Sequence, residues 1–131
     1  MTDGRVTPRT VALAATLDVI AVFLFVAIGR NNHDEAGPMI VGILKVAAPF
    51  VIGLALGWLA ARAWLAPLSP VPTGVVIWLV TVIGGMLLRR FVFDRGTALP
   101  FIIVASLFTL LLLVGWRVLA EWQAAKGAKT A

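Results

Sequence analysis

Cysteine and tyrosine are absent from the 131 residues, and histidine occurs once, as His33. The first absence excludes disulfides, zinc–thiolate sites and thiol chemistry. One histidine without cysteine leaves too few nitrogen and sulfur ligands for a zinc centre. Acidic residues number only six, and serine occurs only as Ser69 and Ser106. Neither serine stands in a G-x-S-x-G setting, and no HExxH or phosphate-cradling glycine loop occurs. The chemistries that announce themselves by motif are missing, so a non-enzymatic protein without metal or cofactor is expected.

What is present is apolar. Hydrophobic residues make up 61% of the chain, and the mean hydropathy is +1.03. A water-soluble domain of this size cannot hide so much apolar surface, so a lipid bilayer is the expected solvent and partner. The 11 basic residues give a formal charge of +5. They stand at the ends of apolar segments and form no patch, which is the pattern of membrane topology signals and excludes nucleic acid as a partner.

The spacing predicts an all-α fold: a single integral membrane domain over residues 1–131, built as a bundle of four transmembrane helices in two hairpins. Helix one is expected over 8–29, capped by Thr7 with Pro8 in its first turn. Its length, with Asp18 inside it and a poor cleavage motif at Ala27-Ile28-Gly29, predicts a retained helix rather than a signal peptide. Helix two is expected over 38–66, kinked at Pro49. The run Pro67-Leu68-Ser69-Pro70-Val71-Pro72 is a loop. Thr73 is placed to cap helix three, over 73–93, and Thr97 to cap helix four, over 97–122, with a frayed tail beyond. Four spans put both termini on one side. That side carries Arg5, Arg9, Arg62, Arg117, Lys126 and Lys129; the other carries Arg30, Arg89, Arg90 and Arg95. The excess favours cytoplasmic termini.

Trp58, Trp64, Trp78, Trp116 and Trp122 fall towards the terminal side, as a one-sided headgroup belt, with Phe91, Phe93 and Phe101 towards the other. Arg30, Arg89, Arg90 and Arg117 complete the interfacial anchors. Small residues recur as Gly53-x-x-x-Gly57-x-x-x-Ala61 and as Gly84-Gly85, positions suited to close helix packing, inside the bundle or between subunits. Pro49-Phe50 with Gly57-Trp58 echoes Pro100-Phe101 with Gly115-Trp116, which either a duplicated hairpin or a restricted alphabet produces.

Asp18 is the sharpest feature. A carboxylate at mid-span costs about 2.5–3.5 kcal/mol to insert. It is expected to face the bundle, because Ala14, Ala15 and Ala21 share its face while Leu13, Ile20 and Phe23 lie opposite. Two roles fit: a proton or cation relay, or a hydrogen-bonded link between helices. Lys45 is its candidate partner, within several ångströms in depth, with snorkelling to the interface as the alternative. The polar run Arg30-Asn31-Asn32-His33-Asp34-Glu35 reads as a solvated loop, since consecutive side chains rarely converge on one ion.

Asp18, Gly29-Arg30-x-x-His33, Pro49-Phe50 with Gly57-Trp58, Pro72-x-Gly74 with Trp78, Phe101-Ile102-Ile103-x-Ala105 and Gly115-Trp116-Arg117 occur in this order. Together they resemble a prokaryotic family of small membrane proteins, domain of unknown function number three thousand and fifty-four. The resemblance covers nearly the whole chain. Asn32 stands where that pattern has Ser. It implies a multi-pass protein of a prokaryotic cell (inner) membrane and supplies no activity. Two functions remain. One is an accessory or interaction subunit acting through helix packing in a larger membrane complex. The other is a small, homo-oligomeric proton-coupled transporter with Asp18 as its coupling carboxylate, similar in architecture to small multidrug resistance transporters.

Overall fold

In a computed structural model the chain is described over residues 6–33 and 39–130, with backbone alone at residues 30–33, 39 and 128–130. Four long helices account for most of it: α1 Pro8–His33, α2 Met39–Ala61, α3 Val75–Phe91 and α4 Leu99–Thr130. All four carry apolar stretches long enough to cross a membrane. Each packs on its neighbours in the order α1, α2, α3, α4 and back to α1, which closes the two hairpins into a four-sided bundle.

The boundaries follow local chemistry. The Thr7 hydroxyl accepts a hydrogen bond from the Thr10 amide at 3.1 Å, capping α1. This helix continues past Gly29 to His33, where a loop was expected, because nothing from Arg30 to His33 breaks it. In contrast, α2 stops at Ala61 rather than near Ala66. Arg62 turns into the left-handed region at φ 50°, and a tight turn follows at Ala63–Leu65. Pro67 bars Ala66 from helical geometry, and the chain leaves the helix a turn earlier. Thr73 does not cap α3: the helix starts at Val75 with no side-chain cap, after a wide turn in which the Gly74 amide reaches the Ser69 carbonyl at 3.0 Å. The tail expected to fray is helical to Thr130. Its Gln, Ala and Lys residues favour helix, and the Lys126 ammonium lies 5.1 Å from the Trp122 ring centroid one turn away.

Two cores fill the bundle. Towards the α3–α4 turn, Phe25 meets Phe50 edge-on at 5.6 Å, and Phe101 and Phe108 join them at 6.0–6.3 Å from Phe25. Phe101 is therefore inside, not in an outer belt. Towards the termini the core is polar. Outside, Leu, Ile and Val side chains cover the helices, including Leu13, Ile20, Leu44, Leu56, Leu107 and Leu111. That exterior suits acyl chains, not water.

The closest helix pair is α2 with α3. Its seam is the glycine stripe. A methyl group at Gly53 would stand 2.8 Å from the Thr81 carbonyl oxygen, and one at Gly85 would stand 2.5 Å from the Phe50 ring. At Gly57 the obstacle is the backbone of Ile77, and Gly84 lies against the Gly53 backbone. Ala61, half-buried at the end of α2, packs on the core.

Candidate functional site

Along α1 the buried positions are Ala14, Asp18, Ala21, Val22, Phe25 and Val26, a single helical stripe, while Leu13, Leu17, Ile20 and Leu24 face outward. Asp18 is thereby turned into the bundle, about 15 Å along the helix from Pro8. Its side chain is 0% exposed.

The charge opposite it is Arg117, also 0% exposed. The guanidinium grips the carboxylate with both ends: Nη1 donates to Oδ1 at 2.8 Å and Nη2 to Oδ2 at 2.7 Å. This fork geometry is the strong form of the contact. Two indoles complete the shell. Trp116 Nε1 donates to Oδ1 and Trp58 Nε1 to Oδ2, each at 2.8 Å. Four N–H donors thus meet the roughly four acceptor sites of an ionised carboxylate.

Arg117 is satisfied in turn. Its Nε donates to the Pro67 carbonyl at 2.9 Å, and Nη1 also donates to the Leu113 carbonyl at 2.9 Å. The guanidinium lies 4.4 Å from the Trp116 ring centroid. Pro67 belongs to the proline-rich α2–α3 connection, which folds inward so that its carbonyl becomes a cap for the cation. Gly74 leaves room for the arginine stem: a methyl group there would stand 3.0 Å from Arg117 Cδ. The site therefore draws on α1, α2, α4 and the α2–α3 connection. Such a pair is tolerable in a low-dielectric interior only when both ions are fully hydrogen-bonded, a condition this geometry meets.

Lys45, the partner expected from depth, does not reach Asp18. It is exposed on the outer face of α2, where it lines a groove with Arg95. Arg117, Trp58 and Trp116, read from sequence as interfacial anchors, are instead the shell of Asp18. Depth exposes the misreading. The apolar span of α4 continues to Gly127, so Arg117 lies 10 residues, about 15 Å, inside its terminal end, the same depth as Asp18 from Pro8. An anchor sits at the edge, not there.

The other anchors divide. Trp78 is half-buried and clasps α3 to α4, with Nε1 donating to the Ser106 carbonyl at 2.8 Å. Trp64 and Trp122 are exposed, as is Arg90. Arg89 turns inward, its guanidinium 4.3 Å from the Phe101 centroid and its Nε donating to the Gly96 carbonyl at 2.8 Å. It borders an apolar cavity of about 420 Å³ lined by Phe25, Val26, Phe101 and Val104. The Arg30 side chain, and Asp34 and Glu35, lie outside the described residues. Among the described residues no group of three potential metal ligands gathers.

Four membrane-length helices around an internal ion pair define a multi-pass membrane protein. The chain belongs to the family described as protein of unknown function, DUF3054, whose model matches residues 15–120. Both Asp18 and Arg117 fall within that interval. No curated protein and no solved structure matches the chain.

Proposed function

We propose that the protein is a non-enzymatic accessory or interaction subunit of a prokaryotic cell (inner) membrane, acting through helix packing, with both termini cytoplasmic. The observation that supports this over proton-coupled transport is the sealed carboxylate. A coupling acid must be reached by water or substrate and must exchange its proton. Asp18 is buried, and its acceptor positions are taken by Arg117, Trp58 and Trp116. Its role in this reading is to hold α1 to α4 and so present the Leu- and Ile-rich outer faces to a partner helix. With Arg117 inside, basic residues on the terminal side number five (Arg5, Arg9, Arg62, Lys126, Lys129) against four (Arg30, Arg89, Arg90, Arg95). The direction still favours termini inside.

Native mass spectrometry after mild extraction from the native membrane tests the reading. A second polypeptide at fixed stoichiometry is the expected result. A homo-oligomer alone, whose proton-coupled flux disappears in a correctly inserted D18N variant, overturns it in favour of the transporter.

A further inference from the structure

We propose that the outward groove between the N-terminal half of α2 and the α3–α4 turn binds an anionic diacyl phospholipid of the surrounding bilayer. The groove encloses about 480 Å³ and is lined by Val41, Leu44, Lys45, Ala48, Phe93 and Arg95. Val41, Leu44 and Ala48 are spaced three and four apart, so they form one apolar strip along α2. An acyl chain lies along such a strip at the cost of ordering alone. Phe93, exposed in the turn, provides the wall.

Two cations mark where the headgroup sits. Lys45 lies about 9 Å inside the start of α2, and helical side chains lean towards the N-terminus of their own helix. In α2 that direction is the end where the α3–α4 turn places Arg95, so the ammonium snorkels towards the guanidinium. Among the described residues, neither side chain has an ion pair or hydrogen bond, and no acidic residue lines the groove. Asp94, the acid of the same turn, is exposed and is not part of the lining. Two cations beside an apolar strip complement a phosphodiester that carries acyl chains and no second, positive headgroup charge. A choline or ethanolamine headgroup would bring its own cation against Lys45 and Arg95. Free phosphate would leave the strip uncovered.

Native mass spectrometry of the full chain in mild detergent tests this, using phosphatidylglycerol and phosphatidylcholine of identical chains. Wild type is expected to retain phosphatidylglycerol preferentially. The K45Q/R95Q variant is expected to retain it about 25-fold less, each surface charge being worth about fivefold. K45R/R95K should restore retention, and R90Q, which removes an exposed arginine at the same end outside the groove, should leave it unchanged. Equal retention of the two lipids, an equal loss in R90Q, or displacement of the lipid by millimolar inorganic phosphate would each overturn the proposal. Unchanged melting of K45Q/R95Q separates loss of binding from loss of fold.

Discussion

Removing one charge from the Asp18–Arg117 pair leaves the other buried with nothing to balance it. Breaking such a pair costs about 3–5 kcal/mol, whereas replacing both ions by apolar groups of similar volume is often neutral or stabilising. We therefore expect D18N and R117M each to lower unfolding stability in detergent by about 3–5 kcal/mol, and D18L/R117M to recover most of it. Additive losses in the double variant would show that the two residues stabilise the bundle separately. Asp18 was legible in the sequence because a lone acid in an apolar run has no other company. Its partner was not. Arg117 is 99 positions away, and its neighbour Trp116 gives it the look of an interfacial cluster. Trp58 and Trp116 misled for the same reason: an indole N–H seeks a partner at a headgroup or at a buried carboxylate, and the residue type does not distinguish them.

At the scale of elements, the glycine stripe and the end of α2 carry opposite predictions. Gly85 sits where a methyl group would collide with Phe50, so G85A should overpack the α2–α3 seam and cost about 1–3 kcal/mol, read as a lower melting temperature. Arg62 holds a left-handed backbone that glycine adopts freely, so R62G should raise stability by about 1 kcal/mol in the same assay. A drop instead would mean that the Arg62 side chain does more than the backbone loses. The four spans were readable because hydropathy is a sum over some 20 residues and tolerates errors at either end. Their limits were less so. The α2 boundary depends on one residue turning left-handed ahead of Pro67, and the extra turns of α4 depend on weak propensities in a polar tail.

For the whole molecule, orientation is the property most open to direct test. The chain has no cysteine, so single introduced thiols report their side of the membrane without background. Q123C is expected to resist a membrane-impermeant maleimide in intact cells and to react after permeabilisation, while D94C reacts from outside. The reverse pattern would place the termini outside, and labelling of both would indicate dual insertion. The bundle also separates its functions by depth. An aromatic core lies towards the α3–α4 turn, an ionic one towards the termini, and the apolar exterior surrounds both.

The ion pair joins the first helix to the last, and this has a consequence for biogenesis. At about 5–20 residues per second, the ribosome needs roughly 5–20 s after making Asp18 to make Arg117. Throughout that interval the nascent protein holds an acid in or near the membrane without its counter-ion, and only completion of α4 ends the exposure. The pairing is thus a record that translation has finished. A chain ending after Phe93 is expected to be degraded faster in pulse–chase labelling than the full chain, and D18L in the truncated chain should slow its turnover. Equal half-lives for the truncated chain with and without D18L would show that the cell does not read the unpaired acid.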